Sequence, residues 1–180
     1  ITIPEMNIPI EDNLVYKAGK LFLEENNIKS GFNAVLKKNI PAGSGLGGGS
    51  SNAAYTLIAL NRLYNTQLSH FELTKLAAQI GSDCVFFLHG HRAALGKGRG
   101  EIITNINFLL NYKIAIVNPG INISTPVAYK MLNRDEKEIP EIDFRNLLKL
   151  HQNNPKSFRN IIINDFENVL FEMHPEIKGV

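Results

Sequence analysis

Pro41-Ala42-Gly43-Ser44-Gly45-Leu46-Gly47-Gly48-Gly49-Ser50-Ser51-Asn52-Ala53-Ala54 is the stretch on which the reading of this chain turns. It places five glycines and three serines between a β-like run and a helix-like run. Glycine accepts positive φ and lets another group come close to the backbone. Successive glycines can turn several N–H groups inward and form a concave anion site. A helix starting there adds unpaired N–H groups and the positive end of its dipole. Ser50 and Ser51 are placed at the start of that helix, one able to cap it and the other to face a ligand. The stretch reads as a phosphate cradle.

The flanking sequence supplies the elements that hold such a cradle. Ile1 to Glu11 reads as extended and carries Pro4 and Pro9. Asp12 or Asn13 can cap a helix reaching about Asn26, with Leu14, Val15, Ala18, Leu21 and Phe22 on one face. Phe32, Ala34 and Leu36 alternate with Asn33, Val35 and Lys37 as a half-buried strand does. After the glycines, the spacing predicts a helix over Ser50–Tyr64, whose alanines allow close packing. Ser69-His70-Phe71-Glu72 is a capping box for a helix closed by Gly81. Gly81-Ser82-Asp83 then gives a turn and one acid before the apolar run Cys84 to Leu88. Arg92 to Leu95 and Ile102 to Ile106 read as strands around a second, basic glycine turn, Gly96-Lys97-Gly98-Arg99-Gly100. Lys113 to Val117 reads as a strand ending at Asn118-Pro119-Gly120. Thr125-Pro126 reads as an N-cap and first helical position, with further helices near Phe144–His151 and Asp165–Met173 and a polar loop from Asn133 to Glu141. A domain boundary is expected near Asn107 to Tyr112, dividing 1–110 from 111–180.

Bulk properties narrow the class. The 180 residues are 44% hydrophobic and 20% charged, with net charge +2, enough chain for one large or two small cored domains. Acids and bases are mixed, so there is no electrostatic footprint for nucleic acid or an anionic membrane. The single cysteine, Cys84, excludes an internal disulfide framework and suits a reducing compartment. No apolar run approaches the ~20 residues of a membrane span, and Ile1 to Glu11 lacks the pattern of a signal peptide. These features predict a soluble intracellular protein.

Other glycine-loop readings fit less well. Gly43, Gly45 and Gly48 satisfy G-x-G-x-x-G, yet a dinucleotide fold needs a strand-end acid ~20 residues on. That region here opens a capped helix. A P-loop needs Lys before the final Ser or Thr, where this chain has Gly49. A packing turn would not need so many glycines. His89 and His91 could suggest a metal pair, but no third ligand follows at useful spacing, so they read as surface or structural residues. Cys84 reads as a small buried residue.

The stretch Pro41 to Ala54 resembles the nucleotide-binding motif of the GHMP kinases, a family of small-molecule kinases. Most members carry Gly-Leu-Gly/Ser-Ser-Ser-Ala-Ala; this chain has an added glycine, and Asn52 before Ala53. Asn13-Leu14-Val15-Tyr16-Lys17-Ala18, Gly81 to Phe87, Pro119-Gly120 with Ser124 to Val127, and Asn164-Asp165-Phe166-Glu167 are also similar to family segments, in order along nearly the whole chain. The resemblance implies an α+β fold: an ATP-binding domain with a left-handed β-α-β unit, then the start of a ferredoxin-like substrate domain. It implies transfer of the γ-phosphate of ATP, with Mg2+, to the 2-hydroxyl of a cytidine diphosphate-linked methylerythritol. Other branches act on homoserine or mevalonate, and a nucleotide-binding module without catalysis is the reading from another class.

By the same resemblance Asp83 accepts the proton of the substrate hydroxyl, a role that also suits a carboxylate at the edge of a core. Pro41, Ala42, Gly43, Ser44, Gly45, Leu46, Gly47, Gly48, Gly49, Ser50 and Ser51 hold the phosphates, either serine able to lie near Mg2+. Asn13, Leu14 and Lys38 lie near the nucleotide base; Asn13 could equally cap its helix, and Lys38 could be a solvated strand end. Thr125 and Tyr129 face the substrate, the tyrosine ring against the cytosine, although Thr125 could simply cap its helix and Tyr129 line an amphipathic one. Lys97 and Arg99 reach phosphates or form a solvated basic turn. Family members open with a strand bearing a catalytic lysine, followed by a Tyr-His pair that grips the cytosine, and carry a third glycine-rich motif near the C-terminus. None occurs here. The chain therefore reads as an internal piece, weakly active or inactive by itself, with a sheet edge left open.

Overall fold

A computed structural model describes residues 9–108, 113–121, 123, 125–132, 143–151, 154–158, 162 and 164–179. Two compact units divide the chain, Ile1–Ile106 and Asn107–Val180.

The first unit is built on four helices: α1 (Leu14–Glu25), α2 (Gly48–Leu63), α3 (His70–Ile80) and α4 (Ser82–His89). A short 3-10 turn, Ile10–Asp12, leads into Asn13. There the side-chain oxygen accepts the Val15 N–H at 2.8 Å and caps α1, satisfying a donor the helix cannot pair itself. Val15, Ala18 and Phe22 make the buried face of α1. Gly19 stands among them because the Phe32 ring lies where a Cβ would go. That contact offsets the roughly 1 kcal/mol a mid-helix glycine costs and fastens the segment after α1 onto the helix.

Phe32, Ala34 and Leu36 are half-buried and Asn33, Val35 and Lys37 exposed, the alternation expected of a strand. The segment nevertheless forms only a single bridge, at Val35, which is 85% exposed. Alternation sets the pleat, but a strand also requires a laddered neighbour, and none is formed here among the described residues.

α2 begins at Gly48, two residues before the expected start, with Gly47 as a left-handed N-cap and no side-chain cap. Ser50 and Ser51 thus lie inside the first turn instead of capping it. Ala53 and Ala54 are fully buried, so α2 comes close to its neighbours. Asn61 ties down the following loop: Leu68 N–H and Thr66 Oγ1 donate to its Oδ1 at 2.9 and 2.7 Å, and its Nδ2 donates to Leu68 O at 3.0 Å. The Ser69–Glu72 capping box forms as expected. Hydrogen bonds from the Ser69 hydroxyl and backbone N–H hold the Glu72 carboxyl below its ordinary range. Gly81 ends α3 and also opens α4. The core gathers Phe22, Leu57, Val85 and Cys84 as its largest fully buried side chains, with Leu60, Leu73, Leu76 and Leu88 around them. Burial of a side chain such as Leu57 contributes about 1.5–3 kcal/mol.

A hairpin closes the unit: β1 (Ala94–Lys97) and β2 (Ile102–Asn105) pair antiparallel with Lys97 opposite Ile102. β1 lies two residues later than expected, so Gly96 and Lys97 belong to the strand and the turn is 98–101. Arg99 N–H donates to Glu101 Oε2 at 2.8 Å and Gly100 N–H to Lys97 O at 3.1 Å.

In the second unit, α5 (Thr125–Met131) packs with α8 (Phe166–Met173), and α6 (Phe144–His151) is followed by α7 (Pro155–Phe158). Lys113 to Val117, expected as a strand, is exposed and forms no ladder among the described residues. Asn118 accepts the Gly120 N–H at 2.9 Å and makes the turn that follows. Residues 1–8 and the expected polar loop, 133–141, lie outside the described residues. The fold is α+β, helix-rich, with a small antiparallel sheet. No parallel strand pair is formed among the described residues, so the left-handed crossover finds no strands there to join.

Candidate functional site

The glycine stretch folds as its composition suggests. Gly43, Gly45 and Gly47 have φ of +69, +71 and +66°, a left-handed residue at every second position. Alternation of this kind turns backbone N–H groups toward a common concavity. A Cβ on Gly45 would meet nothing within 4 Å, so the concavity is open there; one on Gly47 would lie 2.7 Å from the Phe87 ring. Ser44 Oγ donates to Pro41 O at 2.9 Å and braces the loop from within.

Three helix starts converge on this loop. Leu14, the first residue of α1, places Cδ1 3.3 Å from where a Gly49 Cβ would be. α2 begins at Gly48. Ser50, in its first turn, hydrogen-bonds the Cys84 side chain in the first turn of α4. Each start brings N–H groups without intrahelical partners and a positive dipole end, so together they favour an anion.

Asp83 stands in the first turn of α4. It is exposed, not held at the edge of the core as the sequence suggested. Asp83 and Phe87 are four residues apart and share a helix face. Asp83 is thus one helical turn from Phe87, the residue whose ring covers Gly47. The hairpin turn also reaches this point: a Cβ on Gly100 would lie 3.9 Å from Asp83 Oδ1 and 3.8 Å from Ser82 Cβ. Arg99 and the exposed Lys97 are therefore carried next to α4. Cys84 is fully buried. Burial pushes its thiol up, the Ser50 hydrogen bond opposes this, and the Asp83 charge adds to it.

An open pocket of about 180 Å³ adjoins the loop, lined by Lys37, Lys38, Asn39, Ile40, Gly48 and Asn52. It is smaller than the ~300–1,000 Å³ of sites that enclose a drug-sized ligand, and has room for one end of such a molecule only. The Lys38 ammonium lies 3.3 Å from where a Gly48 Cβ would be. Asn13 is 6% exposed, its side chain used as the α1 cap; Leu14 is half-buried against Gly49. Tyr129, in the second unit, is 64% exposed and meets Phe166 edge to face at 5.0 Å. Thr125 opens α5, and its side chain, like residue Ser124, lies outside the described part. The structure thus gathers Leu14, Lys38, the loop, Ser50 and Asp83 within the first unit, whereas Thr125 and Tyr129 belong to the second.

Sequence reasoning passed over Phe87 as the wall behind Gly47, the Ser50–Cys84 contact and Asn52 in the pocket. The second glycine turn was visible, but nothing in its residues said that it would pass Asp83.

Residues 13–91 match the family model described as the GHMP kinases N-terminal domain. The chain is 42% identical over 173 residues to a 4-diphosphocytidyl-2-C-methyl-D-erythritol kinase of Francisella philomiragia, covering 94% of this chain and 58% of that protein. A Clostridium novyi protein of the same name is 38% identical over 179 residues, 96% of this chain and 62% of that one. A crystal structure of a 4-(cytidine 5'-diphospho)-2C-methyl-D-erythritol kinase superposes with a TM-score of 0.73 at 30% identity, over 99% of this chain and 63% of that one. The chain spans about three-fifths of the length of the curated relatives it matches. No helix among the described residues is long and apolar enough to cross a membrane.

Proposed function

We propose that this chain supplies the ATP site and the proton acceptor of a kinase that phosphorylates the 2-hydroxyl of 4-diphosphocytidyl-2-C-methyl-D-erythritol, a step of the non-mevalonate isoprenoid pathway. The observation that carries the reading is the left-handed alternation at Gly43, Gly45 and Gly47, opening beside the starts of α1, α2 and α4, with Asp83 one helical turn from the Phe87 that covers Gly47. The substrate is taken from the names of relatives that match over nearly the whole chain.

In this reading the loop from Pro41 to Gly49 and the first turn of α2 bind the phosphates of ATP through backbone N–H groups. The pocket at Lys38 takes the base end, and the resemblance assigns Asn13 and Leu14, at the start of α1, to the same end of the nucleotide. Ser50 or Ser51 holds Mg2+, which when bound neutralises charge on the transferring group. Asp83 accepts the proton of the substrate hydroxyl as its oxygen bonds to the γ-phosphorus. The bond from that phosphorus to the bridging oxygen breaks, ADP leaves, and Asp83 passes the proton to solvent. Exposure of the carboxylate suits a group that must meet an incoming alcohol. Preorganised N–H donors and cations stabilise the charge of the phosphoryl group in flight, and Lys97 and Arg99 are candidates for part of that charge. Thr125 and Tyr129 bind the cytidine end of the acceptor. On this assignment Ile1–Ile106 is the ATP-binding part and Asn107–Val180 the beginning of the substrate part.

The test compares the chain, extended to the length of its relatives, with its Asp83→Asn form. ADP release is followed with Mg-ATP and the cytidine diphosphate-linked alcohol. Expected is turnover that the substitution lowers by about 10²–10⁴-fold, as loss of a general base does, with ATP affinity retained. ATP binding without turnover on this acceptor would overturn the substrate assignment; undiminished turnover in Asp83→Asn would overturn the role of Asp83.

A further inference from the structure

Away from the glycine loop, three histidines meet where α3 begins and α4 ends. His70 is the first residue of α3 and His89 the last of α4. The packing of these helices leaves His70 Nε2 3.0 Å from His89 Nδ1. Their rings meet edge to face, centroids 4.5 Å apart and planes at 69°, while His91 lies nearly parallel to His89 at 5.3 Å and 16°. In the sequence, His89 has a neighbour only in His91 and lacks a further ligand. The fold gives it one from nineteen positions earlier.

A hydrogen bond between two imidazole nitrogens aims the in-plane direction of each at the other. Turning each direction by about 40°, through rotation of the two rings, one exposed and one half-buried, brings both onto a single point beside the N–N line. With metal–nitrogen bonds of ~2.0–2.1 Å, nitrogens 3.0 Å apart subtend about 95° at that point. This is the angle of square-planar or octahedral coordination, the geometry of Cu2+ or Ni2+ with imidazole ligands, and it is narrower than the tetrahedral angle that Zn2+ prefers. A neutral pair can accept the ion without net loss of a proton, because the donor ring moves its proton to its other nitrogen. Among the described residues no group of three or more His, Cys, Asp or Glu is arranged around one metal position. His91, stacked on the face of the His89 ring, therefore restrains that ring and is not a ligand, and water completes the shell.

We propose that His70 and His89 form a two-nitrogen site for a late first-row divalent cation, Cu2+ foremost, joining the first turn of α3 to the last turn of α4. The site is independent of the kinase reading. The experiment titrates Cu2+ into the chelator-stripped full chain by calorimetry at neutral pH, and reads the nitrogen count from the electron paramagnetic resonance of the 1:1 complex. Expected is one site with two equatorial nitrogens. His70→Asn and His89→Asn each weaken it at least ~tenfold and remove one nitrogen. A His151→Asn/His174→Asn double variant binds as the parent does. His91→Asn weakens binding less than either ligand variant and keeps both nitrogens. The spectrum of the unsubstituted chain tests the site even where a variant folds poorly: no 1:1 complex, or fewer than two nitrogens in it, overturns the proposal. Undiminished affinity in folded His70→Asn or His89→Asn overturns it as well.

Discussion

Gly45 and Gly47 stand two residues apart with nearly the same backbone, φ +71 and +66°, but in different surroundings. At either position an L side chain in the left-handed region costs about 1–2 kcal/mol. Gly47→Ala must also displace the Phe87 ring, so its expected loss of stability is larger, about 2–3 kcal/mol in urea unfolding. Gly45→Ala pays the backbone cost alone, while its methyl enters the open concavity proposed for phosphate. Its main effect should be on ATP affinity, measured by calorimetry; affinity equal to that of the parent would show that the phosphates do not lie there. Cys84 offers a pH-dependent counterpart. Burial raises its thiol, so the neutral form is favoured in the folded chain over the unfolded one. The resulting stability is fully present below the ordinary thiol range and is lost as pH rises through the raised value. Unfolding free energies measured at pH 7 and at pH 10 should therefore fall more for the parent than for Cys84→Ala. Parallel losses in the two would contradict this account of the thiol.

Among the elements, the helices were the most legible part of the sequence, because what defines them is local. Asn13 before Leu14 and the Ser69-x-x-Glu72 box specify helix starts through groups within one turn, and both starts are formed. Ser69→Ala should accordingly destabilise the first unit by about 1 kcal/mol in urea unfolding; no change would mean the box contributes nothing beyond what water supplies to the same N–H groups. Gly47 was misplaced relative to its helix for a related reason. Residue type marks Ser50 as a capping residue, but the left-handed backbone of Gly47, which residue type does not reveal, allows α2 to begin earlier. Strands were less legible. Phe32 to Lys37 keeps the alternation of burial, yet a ladder depends on a second segment that local pattern does not specify. The candidate site divides in the same way. Glycine spacing and the lone acid at Asp83 are written in the chain. The approach of Gly100 to Asp83, of Phe87 to Gly47 and of Ser50 to Cys84 arises from helix packing between residues 17 to 40 or so positions apart, for which no local signal exists.

On the scale of the molecule, every buried residue of the main core cluster lies between Ala18 and Leu88, and the first unit ends at Ile106. A unit of this length with its own core has what a domain needs to fold alone. Residues 1–106 expressed by themselves should unfold cooperatively in urea, with a midpoint close to that of the corresponding transition in the whole chain. The slope of that transition should be similar in both, because the slope follows the surface exposed on unfolding and the same core is being opened. Leu14, Lys38, the glycine loop, Ser50 and Asp83 all belong to this unit, so the isolated piece should also keep the ATP affinity of the whole chain. Affinity for the cytidine end of the acceptor should be lost, since Thr125 and Tyr129 lie in the other unit. Cooperative unfolding with ATP binding abolished would place part of the nucleotide site beyond residue 106. Absence of a cooperative transition would show that the core between α1 and α4 depends on the second unit, against the self-contained packing of Phe22, Leu57, Cys84 and Val85.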